Sequence, residues 1–317
     1  MKILVAPLNW GLGHASRCVP LVQRMLDEGN EVILGGDGES LTLLRKHFPK
    51  LRYTYLAPLN LRYSAGSSQV WAMFKALPKI VLWSIKDHLM LKALLREEPI
   101  DRVISDNRFG LYNRQTECVY MTHQLHIMLP KGWRCAEKIA SRMHARVYAR
   151  FNKVWVPDYE EKEKSLAGEL SHTGAPVEYI GPLSRFAGKP GYRDTGTLNY
   201  DIVAVLSGLE PHRTMLEKEI IARYQDAEER VLIVQGLLHR PNTRIKRGTM
   251  TIVPTMGDAE LVGALQGAKH IIARSGYSTI MDLEALGMMD KAEFIPTPGQ
   301  PEQEYLASYF AKKSQKD

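Results

Sequence analysis

A histidine and an aspartate that each follow a predicted strand are the residues best suited to acid–base chemistry. His14 opens a helix after a loop in which Gly11 and Gly13 follow the apolar strand Lys2–Ala6. Asp106 comes directly after another strand, so it can emerge at the same sheet edge. A carboxylate that holds an imidazole in one tautomer makes the histidine a general base, and we therefore expect a His14–Asp106 dyad. The structural alternative is that His14 only caps the helix after a tight turn and that Asp106 only stabilises a turn or caps a helix.

Two strand-to-helix turns in the second half of the chain could bind an anion. One is Ser207–Gly208, followed by Pro211 and Arg213, and the other is Ser275–Gly276, preceded by Arg274. Turns of this kind direct backbone N–H groups and the positive end of a helix toward an anion. The first turn lacks the terminal Gly-Lys-Ser/Thr of a P-loop, which argues against ATP hydrolysis by that route.

The stretch that begins at Arg274 contains the pieces that a nucleoside diphosphate sugar needs. The Ser275–Gly276 turn would receive the phosphates, and Arg274 would add positive charge. Asp282 follows one to two turns into the helix, where its carboxylate could accept hydrogen bonds from ribose hydroxyls. Glu302 and Gln303 then offer paired hydrogen-bonding side chains for a polyol such as a sugar.

With these motifs the chain resembles the nucleotide-sugar glycosyltransferases of GT-B fold. It is most similar to the peptidoglycan lipid-linked N-acetylglucosaminyltransferases and more loosely to the UDP-glucuronosyltransferases. The resemblance follows the chain in order, from the GxGH loop through Gly181–Leu183 to the Arg-Ser-Gly and Glu-Gln motifs. It implies that His14 is the base and that Asp106 is its partner. Gly13 and His123 are expected at the acceptor site or in the cleft, His123 because it follows a strand. The resemblance also implies a donor site formed by Ser207, Gly208, Ser275, Gly276, Asp282, Glu302 and Gln303. From their positions beside these turns, Arg213, Arg274, Tyr277, Ser278 and Thr279 are expected at the donor site as well.

The chain departs from this family in two places. The family has a longer tail whose last helix crosses back onto the N-terminal domain, whereas this chain ends with Lys312–Asp317. We therefore expect the crossover helix to be missing. The family's glycine pair in the middle loop is replaced by Ser207–Gly208, which leaves the phosphate contacts there open.

The pattern of elements predicts two Rossmann-like, doubly wound α/β domains of GT-B type that face each other across a cleft. Residues 1–180 would form the acceptor domain and residues 181–317 the donor domain. Short apolar runs alternate with helical patterns in both halves. The predicted strands are Lys2–Ala6, Glu31–Gly35, Arg102–Ser105, Cys118–Met121, Lys153–Val156, Asp201–Leu206, Val231–Val234, Met250–Val253, His270–Ala273 and Ala292–Ile295.

Composition excludes several classes of protein. A chain of 317 residues with 44% hydrophobic and 24% charged residues is globular rather than disordered. Its three cysteines contain no CxxC pair, which argues against a disulfide framework and a structural zinc site. The N-terminal apolar run is too short for a signal peptide, and no window long enough to span a membrane is free of charge. We expect a cytoplasmic protein with no cofactor and no obligatory metal ion.

The positive charge is confined to the first half of the chain. Residues 1–180 carry 25 basic and 18 acidic residues, whereas residues 181–317 carry 17 of each. All five tryptophans also lie in the first half. A basic region with interspersed tryptophan suits an anionic membrane surface or a nucleic acid, and a merely solvated basic face is the alternative.

A long helical pattern over Gln69–Leu95 could supply such a membrane contact. Apolar residues recur in it at three- and four-residue spacing among lysines, and a break is expected at Pro78. The apolar stripe consists of Trp71, Phe74, Leu82, Ile85 and Leu89. The same stripe could instead face the domain core. Peripheral contact with the inner face of a membrane is therefore one of two interpretations.

The function expected from the sequence is inverting transfer of a sugar from a UDP-sugar to a hydroxyl acceptor. The acceptor would be a glycan, a lipid-linked or cell-envelope molecule, or a small molecule. Two alternatives remain at this stage. One is a UDP-sugar 2-epimerase, which resembles the same fold class, and the other is a non-catalytic protein that binds nucleic acid or an anionic glycan. The chain has no RNA-binding motif, so nucleic acid is not the expected partner.

Overall fold

The computed structural model describes residues 1–59, 69–188, 198–208, 210–241 and 243–313, with the backbone alone for 69–75. The chain divides into two compact units, the first ending at Leu183 and the second beginning at Ser184. Each unit is built on a sheet covered by helices, and the fold class predicted from the sequence is confirmed.

The first unit contains a sheet of seven strands among its described residues, in the order β3-β2-β1-β4-β5-β6-β7. Every pair of neighbouring strands is parallel. The strands are β1 (Lys2–Pro7), β2 (Glu31–Gly36), β3 (Arg52–Tyr55), β4 (Arg102–Asp106), β5 (Glu117–Met121), β6 (Lys153–Val156) and β7 (Glu178–Tyr179). The helices are α1 (Gly13–Asp27), α2 (Gly38–His47), α3 (Gln69–Glu97) and α4 (Glu137–Tyr148).

The second unit contains a six-stranded sheet in the order β10-β11-β9-β8-β12-β13, as far as the structure describes it. Its strands are β8 (Ile202–Val205), β9 (Val231–Val234), β10 (Ile245–Arg247), β11 (Met250–Val253), β12 (His270–Ala273) and β13 (Ala292–Phe294). Among the strand pairs that the structure describes in this sheet, β10 and β11 are antiparallel and the others are parallel. The helices are α5 (His212–Tyr224), α6 (Asp258–Gly267), α7 (Tyr277–Ala285) and α8 (Pro301–Lys313).

Strands β1 and β12 are apolar after their first residue, a pattern typical of strands in a parallel sheet that is covered on both faces. Ile3 to Ala6 of β1 and Ile271 to Ala273 of β12 are almost completely buried. Strand order reverses between β1 and β4 in the first unit and between β8 and β12 in the second. Open α/β sheets bind ligands at such switch points, beyond the carboxyl ends of the strands. Most of the predicted site residues lie at or after the ends of these four strands, whereas His123 follows β5 and Glu302 and Gln303 come after β13.

The prediction of a helix break at Pro78 is wrong. Helix α3 runs from Gln69 to Glu97 with Pro78 inside it. Proline removes one backbone N–H bond, but Pro78 is exposed, so water can satisfy the carbonyl that loses its partner. The side chains of Trp71 and Phe74, part of the predicted stripe, lie outside the described residues.

Candidate active site

The structure brings the predicted dyad together. His14 is the second residue of α1, and Asp106 is the last residue of β4, which pairs with β1 in a register that places Pro7 opposite Asp106. His14 Nδ1 lies 2.9 Å from Asp106 Oδ1. The side chain of Asp106 is fully buried, whereas that of His14 is 17% exposed. One ring nitrogen of His14 is therefore held by a buried carboxylate while the ring still reaches the surface.

Two further residues complete this cluster, Arg17 and His123, and of these the sequence predicts only His123. Arg17 Nε donates to Asp106 Oδ2 at 2.7 Å, and Arg17 Nη2 donates to Asp106 Oδ1. Arg17 Nη1 lies 3.0 Å from Nδ1 of His123, the histidine predicted to line the site. Residues three apart on a helix share a face, so the spacing of His14 and Arg17 could have revealed this contact.

Asp106 is held in its ionised form. Burial by itself raises the pKa of a carboxyl, but the positive charge of Arg17 and the contact with His14 outweigh this, so the pKa of Asp106 lies well below its ordinary value. Cys18 Sγ is 3.7 Å from Asp106 Oδ2. Burial raises the pKa of the Cys18 thiol well above its ordinary value, which keeps that neighbour neutral.

A buried ion-pair network supports the loop that precedes His14. Arg108 is fully buried and donates to both carboxylate oxygens of Asp87, at 2.8 and 2.9 Å. Its Nη1 donates to Asp37 Oδ1 at 3.0 Å, and Asp37 Oδ2 accepts from Asn9 Nδ2 at 2.9 Å. Gly38 has φ +52° and no room for a side chain, since a Cβ there would lie 2.3 Å from Asn9 Nδ2. These contacts fix the loop after β1 to the loops after β2 and β4.

The second unit presents the two predicted anion turns at its own switch point. Ser207–Gly208 follows β8, with Gly208 at φ +98°, a conformation that favours glycine. Gly276 is the N-cap of α7 and supplies no side-chain cap. Ser275 Oγ donates to the carbonyl of Gln303 at 2.8 Å, which joins the turn after β12 to the start of α8. Tyr277, Ser278 and Thr279 form the first turn of α7, and Glu302 lies in the first turn of α8.

Asp282 lies inside the second unit with partners that the sequence analysis missed. Its Oδ1 accepts a hydrogen bond from Ser184 Oγ at 2.6 Å, and its Oδ2 is 4.0 Å from Arg185 Nε. Arg185 Nη1 lies 3.4 Å from Asp258 Oδ1. Burial raises the pKa of Asp282 to about 6, although Arg185 and Ser184 favour the charged form. Ser184 and Arg185 are far from Asp282 in the sequence, and no local sequence pattern predicts that they contact it.

The two arginines expected at the phosphates instead bind groups of the protein. Arg213 Nε donates to Glu210 Oε1 at 2.8 Å and its Nη1 to Glu217 Oε2 at 2.9 Å. Arg274 is buried and donates to the carbonyls of Pro296, at 2.9 Å, and His212, at 2.8 Å. Their guanidinium groups therefore stabilise the loops around the turns.

Within the described residues, no helix is both long and apolar enough to cross a membrane. No group of three or more His, Cys, Asp or Glu side chains in that part of the chain is arranged to hold a metal ion.

Comparison with known proteins identifies the class of enzyme. No protein-family profile matches the chain. It is 23% identical to an uncharacterized glycosyltransferase of Methanosarcina acetivorans over 97% of this chain and 83% of that protein. It is 21% identical to one of Methanosarcina mazei over 99% of this chain and 84% of that protein. The predicted resemblance to glycosyltransferases is confirmed.

Solved structures support the same assignment for the fold. MurG of Acinetobacter baumannii superposes with a TM-score of 0.55 at 13% identity, over 98% of this chain and 83% of its own. The spinosyn rhamnosyltransferase SpnG superposes with a TM-score of 0.57 at 15% identity, over 99% of this chain and 90% of its own. Both have the GT-B fold, so the expected fold family is confirmed. The expectation of an enzyme of the glycosyltransferase class is confirmed by the Methanosarcina relatives.

Proposed function

We propose that this glycosyltransferase moves a sugar from a UDP-sugar to a hydroxyl acceptor with inversion at the anomeric carbon. The contact between His14 Nδ1 and the buried, ionised Asp106 carries the proposal. A histidine held in this way at the carboxyl edge of the sheet is equipped to remove a proton from a hydroxyl group.

In the proposed reaction, His14 Nε2 accepts the acceptor's hydroxyl proton as the oxygen attacks the anomeric carbon. The new bond joins that oxygen to the carbon, and the bond from the carbon to the diphosphate oxygen breaks. Attack from the face opposite the leaving group inverts the centre through an oxocarbenium-like state. The leaving diphosphate takes the bonding electrons, and preorganised N–H groups would stabilise its charge.

The donor would be bound by the second unit. Backbone N–H groups at the starts of α5 and α7 suit the diphosphate, since the positive end of a helix stabilises an anion. Asp282 would accept hydrogen bonds from the ribose, and Glu302 and Gln303 would contact the sugar. SpnG has been solved in complex with thymidine diphosphate, which supports a nucleoside diphosphate as the leaving group here.

A lipid-linked acceptor at an anionic membrane surface is the acceptor that the first unit favours. Leu82, Ile85 and Leu89 of α3 are 60%, 51% and 58% exposed, so this part of the predicted stripe does not pack into the core. Lys86 and Lys92 are exposed on the same helix. Exposed apolar side chains beside lysines can insert between lipids while the ammonium groups contact anionic headgroups.

The test is acceptor-dependent release of UDP. Purified protein is incubated with a panel of UDP- and TDP-sugars, with and without lipid-linked, glycan and small-molecule acceptors, and with or without EDTA. We expect UDP release that requires an acceptor and survives EDTA, with product of inverted configuration by NMR. Conversion of the UDP-sugar into its epimer without an acceptor would assign an epimerase instead. Nucleic-acid binding that weakens steeply with salt, without nucleotide-sugar binding, would assign the non-catalytic role.

A further inference from the structure

The Arg17 side chain lies at the centre of the His14 cluster and contacts three of its groups. Arg17 is 1% exposed and binds both carboxylate oxygens of Asp106. Its Nη1 is 3.0 Å from His123 Nδ1, and its Nη2 is 3.0 Å from His14 Nδ1. Both histidines therefore contact the Arg17 guanidinium through the same ring atom, Nδ1.

Arginine can only donate hydrogen bonds, and it stays charged at any pH at which a protein is folded. His123 Nδ1 must therefore accept from Arg17 Nη1, which places the proton of a neutral His123 ring on Nε2. A ring with its proton on Nε2 is a hydrogen-bond donor at that atom. In this tautomer Nε2 cannot also act as a base.

His14 Nδ1 has two neighbours: Arg17 Nη2, which can only donate, and the ionised Asp106 Oδ1, which can only accept. Arg17 Nη2 makes its shorter contact with Asp106 Oδ1, which leaves His14 Nδ1 to pair with the carboxylate. His14 Nδ1 is 2.9 Å from Asp106 Oδ1, an oxygen that also accepts from Arg17 Nη2. An ionised carboxylate oxygen has room for both donors, so it can also accept a hydrogen bond from His14 Nδ1–H. The proton of the His14 ring then lies on Nδ1, and Nε2 keeps the lone pair that a base needs.

This arrangement depends on the charge of Arg17, because Asp106 is fully buried. A protonated Asp106 could donate to His14 Nδ1, and the His14 proton would then move to Nε2. The groups that face Asp106 are His14, Arg17 and Cys18 of α1 and Tyr120 of β5. Burial raises the pKa of both Cys18 and Tyr120, so they are neutral, and Arg17 supplies the permanent positive charge.

We propose that Arg17 is a positioning residue that gives His14 and His123 opposite tautomers, so that His14 is the base and His123 is a hydrogen-bond donor. The assignment of the base rests on the proposed function, but the two tautomers do not. They can be measured without substrate, so the two ideas fail separately.

The first experiment is ¹⁵N NMR of histidine-labelled protein, because ring nitrogen shifts distinguish Nδ1–H from Nε2–H. His14→Gln and His123→Gln assign the two rings. In the unsubstituted protein we expect Nδ1–H for His14 and Nε2–H for His123. Nδ1–H at His123, or the same tautomer at both rings, would overturn the proposal whatever the protein's activity.

The second experiment compares Arg17→Lys with Arg17→Met. Lysine keeps a positive charge near Asp106, so His14 should retain Nδ1–H, whereas methionine removes the charge that keeps Asp106 ionised. An opposite charge at this distance lowers a carboxyl pKa by about 1–3 units. Loss of this positive charge favours protonation of the His14–Asp106 pair, so we expect the acid limb of the turnover profile to move to higher pH in Arg17→Met and to be restored in Arg17→Lys.

Two controls separate this effect from misfolding. UDP affinity, which the second unit supplies in the proposed function, should be unchanged in both variants. If Arg17→Met does not fold, Arg17→Met combined with Asp106→Asn removes both charges and should fold, with His14 no longer fixed as Nδ1–H. An acid limb at the same pH in the unsubstituted protein and Arg17→Met, or an unchanged His14 tautomer in the double variant, would contradict the proposal.

Discussion

Ser184 Oγ donates a 2.6 Å hydrogen bond to Asp282 Oδ1, and the two residues are separated by 98 positions in the sequence. The contact joins the first residue of the second unit to α7, the helix that follows the Ser275–Gly276 turn. It favours the charged form of Asp282, but burial dominates and the pKa of this carboxyl rises to about 6. The proposed ribose ligand is therefore a group that titrates close to neutral pH.

UDP affinity should depend on the ionisation of Asp282. A charged carboxylate accepts hydrogen bonds from ribose hydroxyls more strongly than a neutral one, so affinity should rise as pH increases through about 6. Asp282→Asn should weaken binding at pH 8 by roughly tenfold or more, since a hydrogen bond to a charged group contributes about 1.5–3 kcal/mol. Calorimetry at several pH values measures both effects.

The UDP phosphate titrates in the same range, so the comparison must be made at each pH between the unsubstituted protein and Asp282→Asn. The difference between their binding free energies should grow with pH. A constant difference would remove the ionised carboxyl from the site. Ser184→Ala is the matched variant that keeps the carboxyl but loses its hydrogen-bond donor.

The same pKa predicts a dependence of stability on pH. Folded Asp282 binds its proton more tightly than the unfolded chain does, so its contribution to stability is full below about pH 4 and is lost as pH rises through about 6. Asp282→Asn should flatten this part of the curve of melting temperature against pH. An identical curve for both proteins would contradict the buried position of the carboxyl.

The residues that could be predicted from the sequence are those that follow strands. His14 and Asp106 were expected together because the carboxyl ends of parallel strands meet at one sheet edge, and the structure places them there. Arg17 shares a helix face with His14, and that spacing was not used; the spacing alone does not reveal that Arg17 is buried against Asp106. The pair Asp87–Arg108 joins a helix to a loop 21 residues away, and no sequence pattern marks such a contact.

Arg213 illustrates a signal that was present in the sequence but not used. Glu210 and Glu217 stand three residues before and four residues after it, a spacing that favours ion pairs on a helix, and the structure shows both contacts. Pro78 illustrates the opposite case. The rule that proline ends a helix is local, whereas the tolerance of α3 for Pro78 depends on its exposure, which is a tertiary property.

Gly110 should be intolerant of any side chain. A Cβ at this position would lie 2.0 Å from the backbone carbonyl of Ser84 in α3 and 2.8 Å from the Cβ of Asp87. Gly110→Ala must therefore push α3 away from the loop that contains Arg108, and we expect a loss of roughly 1–3 kcal/mol or more in the free energy of unfolding. Urea unfolding of the first unit, followed by tryptophan fluorescence, measures this loss.

Gly132→Ala is the matched control for this variant, because a Cβ at Gly132 has no atom within 4 Å. It should leave the unfolding midpoint unchanged. Equal midpoints for Gly110→Ala and Gly132→Ala would show that α3 does not pack against the Arg108 loop as closely as described.

The exposed part of the α3 stripe should determine membrane binding. Replacing Leu82, Ile85 and Leu89 with serine should reduce co-sedimentation with anionic vesicles while leaving stability nearly unchanged, since these side chains bury little area in the fold. Lys86→Gln with Lys92→Gln should reduce the anionic-lipid preference and its salt dependence. Vesicles with and without anionic lipid, each at low and high salt, separate the two contributions.

Met215→Ser is the control for surface hydrophobicity, because Met215 is 51% exposed on α5 of the second unit. This variant should bind vesicles as the unsubstituted protein does. Binding that is equal on neutral and anionic vesicles, or that survives the triple substitution on α3, would refute the proposed docking surface.

Replacing His14 with glutamine should abolish most of the turnover and leave donor binding intact. General-base catalysis typically contributes roughly 10²–10⁴ in rate, so turnover should fall by about that factor. Asp106→Asn should cause a smaller loss, because it keeps the contact but cannot fix the His14 tautomer. UDP affinity should be unchanged in both variants, since the proposed donor residues belong to the second unit. His123→Gln is the matched control, because the His123 ring is proposed to donate a hydrogen bond at Nε2 and not to act as the base. If His123→Gln loses most of the turnover and His14→Gln keeps its rate, the base is His123 and the two tautomers are reversed.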